Sequence, residues 1–308
     1  MSVHNHINRI LLPIVLLLSL EVTGRPENLA RDSIRYSTKQ QALAFLDSVG
    51  RLDPSPHWPN VDPQLFLQNL RTFATTPLRF YEGKGTNFCA YSALTFIPLN
   101  YDPLGFSRFM ITLYKDGKAR MGKVLIKPGK AVRREAGLIK YKGALDISPA
   151  GQIWFLSLAD HFKGYLNFFN RRFNKGDENT LWASTNFAKF NRMLRRLFDL
   201  KVHAKGSDLI RPWIKDTYEY LTEISGNGPV FLFLNNRLLV RKRHVTTRFG
   251  IPTHFVLLLD IYKSADDKIN IVYWDYGKKT LQQVDKALLE KIIFGITDVS
   301  FKKDEDRD

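Results

Sequence analysis

A single cysteine, Cys89, stands in Gly85-Thr86-Asn87-Phe88-Cys89-Ala90-Tyr91-Ser92-Ala93-Leu94, and a histidine and an aspartate follow late in the chain in strand-like surroundings. The histidine is His254, in Pro252-Thr253-His254-Phe255-Val256-Leu257. The aspartate is Asp275, in Val272-Tyr273-Trp274-Asp275-Tyr276-Gly277. A thiol attacks a carbonyl carbon as its thiolate, and free cysteine titrates near about 8.5, so a site that uses one must stabilise the anion. Protonated imidazole does so by ion pairing, and a helix N-terminus does so with the partial positive charge of its unpaired N–H groups. An aspartate on the far ring nitrogen fixes the tautomer and orientation of the imidazole. Asn87 offers a side-chain amide that can donate to the oxyanion of a tetrahedral intermediate. Each residue also has an inert alternative. A lone cysteine is commonly a small buried hydrophobe, a histidine on an apolar strand is by default a satisfied core residue, and an aspartate before Tyr276-Gly277 can start a turn.

Positioning these residues falls to elements of two kinds. Apolar spacing predicts helix over about 25–52, a helix capped by Asp62 with Pro63 at its first position, and a helix running on from Cys89. Further helices are predicted over 102–117, from Ser148-Pro149, over 185–198, from Pro212 to Ile224 and from Leu281 to Phe294. In the 185–198 helix, Phe187, Phe190, Met193, Leu194 and Leu197 form the apolar face, with Lys189, Arg192, Arg195 and Arg196 outside. Such a pattern suits a helix lying on its own domain or, alternatively, on a membrane surface. Val124 lies in a short predicted strand, and Val230–Leu234, Phe255–Tyr262 and Lys268–Trp274 read as buried strands. A mainly helical first two-thirds followed by a sheet-forming last third predicts an α+β fold.

The chain has 308 residues, 44% of them hydrophobic, which is enough for a substantial core. Its net charge of +16 fits an acidic polymer, an anionic membrane or simply a basic solvated surface; no specific nucleic-acid motif is present. The segment Ile10–Leu20 is apolar but shorter than the roughly 20 residues of a spanning helix, and the small-residue pattern Val22-Thr23-Gly24 follows it. A signal peptide over 1–24 is therefore expected, with a secreted or periplasmic location, the alternative being a buried first helix. One cysteine excludes an intrachain disulfide framework. His57, His161, His203 and His244 lack zinc-site spacing, and Gly83-Lys84-Gly85-Thr86 lacks that of a phosphate loop, so no metal or cofactor is expected.

Taken together, the order and neighbours of these residues resemble those of the papain-like cysteine peptidase superfamily, in particular the peptidase C39 family. The resemblance rests on Cys89 at a helix start, then Asn227-Gly228-Pro229-Val230, Thr253-His254-Phe255-Val256 and Trp274-Asp275-Tyr276-Gly277. It covers the cysteine helix and residues from about Pro212 to Gly277. It implies a helical part carrying Cys89 packed on an antiparallel sheet carrying His254 and Asp275. It further implies a hydrolase acting on a peptide, a protein or a cell-wall peptide, with Cys89 as nucleophile, His254 as base and acid and Asp275 as orienter; Asn87 is the candidate that would substitute as oxyanion donor, and a monomer is expected. The superfamily places a glutamine several residues before the cysteine; here the nearest upstream one is Gln68. That departure keeps open a non-catalytic binding protein on the same fold, or a basic envelope-associated protein with a structural cysteine. The implied layout is a helical region over 25–82 that could cover the cleft, a papain-like domain over 83–301 and a charged tail over 302–308.

Overall fold

The structure, a computed structural model, describes residues 36–81, 83, 85–140, 147–163, 172–236, 254–275 and 277–301. The expected signal segment, the first part (25–35) of the helix expected over 25–52 and the charged tail lie outside the described residues. Among those described, no helix is long and apolar enough to cross a membrane.

Local chemistry sets most helix starts. Helices α1 (Lys39–Val49) and α2 (Pro63–Thr75) are capped by Thr38 and Asp62; α4 (Pro103–Asp116) is capped by Asp102 and α6 (Pro149–Phe162) by Ser148. Proline at the first position in α2, α4 and α6 costs no intrahelical bond, and each cap contributes on the order of 1 kcal/mol. Between them come α3 (Cys89–Tyr101), a hairpin of β1 (Ala119–Met121) and β2 (Val124–Ile126), and the short α5 (Lys130–Glu135). Helix α3 has no amphipathic stripe. It is buried on every side from Ala90 to Leu99, as an apolar helix at the centre of a domain must be.

The second half of the chain runs α7 (Phe187–Phe198), β3 (Lys201–Gly206), α8 (Thr217–Ser225), β4 (Val230–Leu234), β5 (His254–Lys263), β6 (Ile269–Asp275) and β7 (Lys278–Val284). It closes with α9 (Lys286–Ile292) and β8 (Ile293–Ser300). Six strands form one antiparallel sheet in the order β3-β8-β4-β5-β6-β7. Successive side chains alternate between its faces. Phe231, Phe233, Phe255, Leu257 and Trp274 join the main core with α1 to α4, α6 and α7, whereas Val230, Leu232, Leu234, Val256 and Leu258 pack under Leu221 and Ile224 of α8 and Leu289 and Ile292 of α9. The fold is mixed α+β, a sheet between a large helical layer and a small one.

Several expectations are corrected. The helix expected over 281–294 is the end of β7, then α9, then the start of β8. Asp285 caps α9 by accepting from the Leu288 N–H, and the apolar run Ile292-Ile293-Phe294 crosses a helix–strand junction with no breaker residue. Helix α8 starts at Thr217 rather than Pro212 because Asp216 is its cap. Lys189, expected outside on α7, is 8% exposed, and its ammonium donates to the Lys163 carbonyl at 2.7 Å. Residues 36–81 share one core with α3, α4 and α6: Trp58 is fully buried and donates to the Leu113 carbonyl, and Ser55 bonds to Tyr114.

Candidate active site

Cys89 is the first residue of α3 and is half-buried. The turn before it is built by Thr86, whose hydroxyl donates to the Gly83 carbonyl at 2.9 Å. Gly83 has φ +85°, and a Cβ there would meet the Ile147 side chain at 2.7 Å, so only glycine fits. Phe88 follows, fully buried and stacked on Phe155 of α6 at 5.2 Å, which pins the helix start to the core. No side chain caps α3. Its first-turn N–H groups thus meet no capping oxygen, and they carry the positive end of the helix dipole.

His254 and Asp275 come from neighbouring strands. Because β5 and β6 are antiparallel, with Leu257 opposite Trp274, the start of one lies beside the end of the other. The end of β6 is also tied to the turn Pro77–Arg79, just ahead of the cysteine loop, by Trp274 Nε1 donating to the Leu78 carbonyl at 2.5 Å. His254 Nε2 lies 2.6 Å from Asp275 Oδ1, the two side chains being 5% and 11% exposed. His254 is also hydrogen-bonded to the Cys89 side chain. Since Nε2 is engaged with Asp275, Nδ1 is the nitrogen left for the thiol. Burial acting alone would lower the affinity of His254 for its proton. The hydrogen bonds to Asp275 and Cys89, with the charges of both, outweigh it and hold the imidazole well above its ordinary value.

The structure thus brings together Cys89, His254 and Asp275 from three separate elements. Asn87 is adjacent, but its amide Nδ2 donates to the Thr180 carbonyl at 2.8 Å while its backbone N–H donates to the Glu178 carbonyl at 2.8 Å. The Asn87 side chain therefore fastens the cysteine loop to the segment 178–180, with one amide hydrogen left for other use. Gln68 is exposed on α2.

Sequence reasoning missed the contribution of residues 178–185. Trp182 Nε1, Thr185 Oγ1 and Glu178 Oε2 are buried and meet no hydrogen-bond partner among the described residues, and the same holds for the Tyr91 hydroxyl in the cysteine helix. Burial pushes the Tyr91 hydroxyl up, with the charge of Cys89 adding to the rise and Thr185 opposing it. Tyr91 was visible in the cysteine motif; nothing in the chain marks the 178–185 segment, which only tertiary folding brings there. A cavity of about 480 Å³ opens instead at the far end of α3, lined by Ile97, Pro98, Tyr101, Phe106, Phe109 and Phe301, and includes none of the three candidate residues. Comparison of the chain with protein-family models, with curated proteins and with solved structures found no match.

Proposed function

We propose that this chain is a thiol hydrolase of papain-like type, resembling the peptidase C39 family, that cleaves a peptide or amide bond. The observation that carries the reading is His254 bonded on one side to Asp275 and on the other to Cys89, although the three residues come from elements far apart in the sequence. The Cys89 sulfur attacks the substrate carbonyl carbon, and the oxyanion that forms is met by first-turn N–H groups of α3. His254 then gives its proton to the leaving nitrogen as the C–N bond breaks, leaving a thioester on Cys89. A water molecule, deprotonated by His254, attacks the thioester; the acid departs and the thiolate and imidazolium are restored. Asp275 holds the imidazole in register throughout. A peptide, a protein or a cell-wall peptide is the proposed substrate class, with secretion through residues 1–24 and a monomeric state as parts of the same reading.

The test is twofold. Iodoacetamide should label wild-type Cys89 at pH 6 much faster than the same residue in His254→Ala, and p-nitrophenyl acetate should be turned over by the wild type alone. Equal, slow labelling of both proteins with no ester turnover would overturn the hydrolase reading. A second reading, a binding protein on the same fold, draws on one observation: the Asn87 amide, expected to donate to the oxyanion, is tied instead to the Thr180 carbonyl and has a single hydrogen left. Fast, His254-dependent labelling without any ester turnover would favour it.

A further inference from the structure

The loop 207–216, between β3 and α8, carries three large apolar side chains into solvent: Leu209 is 78% exposed, Ile210 74% and Trp213 102%. Solvent-exposed apolar residues scattered singly need no explanation, but three within five positions of one loop do. The loop is built rather than slack. The Ser207 hydroxyl accepts from the N–H groups of Leu209 and Ile210, at 3.2 and 2.8 Å, and the Ser207 N–H donates to Phe294 of β8. Arg211 Nε donates to the Lys291 carbonyl at 2.9 Å, and its guanidinium lies 4.3 Å above the Phe294 ring. The loop is therefore anchored to β8 and α9, while Leu209, Ile210 and Trp213 stand out in solvent.

Its charges are arranged with the same asymmetry. The two carboxylates of the loop are spent locally: Asp208 accepts from the Phe187 N–H, and Asp216 caps α8 and pairs with Lys286 at 2.7 Å. Among the described residues Arg211 is matched by a carbonyl and a ring and by no carboxylate, and Lys215 and Lys291 are exposed beside it. We infer that the loop 207–216 docks the protein on an anionic lipid bilayer, with Trp213, Leu209 and Ile210 entering the interfacial region and Arg211, Lys215 and Lys291 meeting the headgroups. Tryptophan is the side chain best suited to that region, and flanking cations reach headgroups while their stems stay on apolar surface. A protruding tip of this kind needs no matching cavity, as a protein partner would have to offer, and the overall charge of +16 complements an anionic surface.

Strand register adds a direction. Gly206, at the end of β3, is opposite Gly295; Ile293, at the start of β8, is opposite Leu234; and Leu234 is opposite His254. The loop thus leaves the sheet at the end that carries His254, three strands away, or about 14 Å at the usual strand spacing. Docking turns that end of the sheet toward the bilayer.

The protein contains its own reporter. Of five tryptophans, Trp58, Trp154, Trp182 and Trp274 are at most 3% exposed, leaving Trp213 as the one open to a soluble quencher, and residues 1–35 contain none. With the full chain and vesicles of phosphatidylcholine plus phosphatidylglycerol, the acrylamide-quenchable part of the emission should disappear and the spectrum shift to the blue. Phosphatidylcholine vesicles alone should leave both unchanged, and added salt should reverse the effect. The double variant Leu209→Ser with Ile210→Ser, both at exposed positions, should need more lipid for the same shift. The proposal is overturned if the protein fails to sediment with the anionic vesicles, or if it sediments, through Ile10–Leu20 or surface charge, while Trp213 remains quenchable. An equal shift on neutral vesicles would likewise overturn it.

Discussion

Two histidine–aspartate pairs lie on the same sheet. His203 of β3 and Asp298 of β8 are direct cross-strand neighbours, with Nδ1 and Oδ2 3.2 Å apart and side chains 70% and 20% exposed. His254 and Asp275 are 2.6 Å apart and almost fully enclosed. The chemical groups are identical, so the difference comes from position. The first pair sits at the sheet edge, where water screens it and competes for it, and such pairs contribute roughly 0–1 kcal/mol. The second is shut between the helical layer and the strand ends, has a thiol as third partner, and keeps its imidazole proton well above the ordinary histidine range. Enclosure together with the third partner is what sets the second pair apart.

That contrast can be broken most severely at the thiol. Cys89→Ala should abolish ester turnover while leaving the protein folded, a result to be read alongside an unchanged circular dichroism spectrum. Next comes Asp275→Asn, expected to lower turnover by up to about 10⁴-fold, because the amide no longer holds the imidazole in the working tautomer. Asp298→Asn should leave turnover unaltered, and a comparable loss in both variants would erase the distinction drawn between the pairs. His254→Ala leaves the enclosed Asp275 carboxylate without its partner and should cost about 3 kcal/mol in urea unfolding.

A smaller effect sharpens the comparison through pH. Because the folded-state value of His254 is raised, its contribution to stability is complete below the unfolded value of roughly 6.5 and fades as pH rises through the folded one. The alkaline limb of turnover, which marks loss of the His254 proton, should accordingly lie above pH 6.5 in the wild type. It should move down in Asp275→Asn, where one cause of the raised value is gone; a limb that stays in place would separate Asp275 from the proton chemistry. Smallest of all is His203→Ala, for which denaturation midpoints should agree with the wild type to within about 0.5 kcal/mol.

How much of this was legible in the chain depended on whether the signal was local. Asp62-Pro63, Asp102-Pro103 and Ser148-Pro149 announce helix starts because a cap and an imino acid act within one turn. The apolar runs of β4, β5 and β6 announce interior strands, and the position of Cys89 at a helix start follows from the glycine turn ahead of it. Edge strands were not legible. β3 and β7 are largely exposed and rich in lysine and glutamine, so they present no apolar run at all. β8 was hidden for a different reason, since its run is continuous with that of α9. The three chemical residues were visible as a set, but their meeting depends on β5 and β6 pairing in one register. The anchoring of Asn87 by Thr180 depends on a contact between segments far apart in the chain, for which no local pattern exists.

The solitary state of Cys89 has a consequence for oxidation. A peroxide that converts its sulfur to a sulfenic acid finds no second thiol in the same chain to trap that state as an internal disulfide. Recovery then depends on a thiol supplied from outside, and without one the sulfur advances to the sulfinic acid and is lost. The alternative is a covalent link between two copies of the protein, which would join them face to face through the start of α3 and close the surface around Cys89.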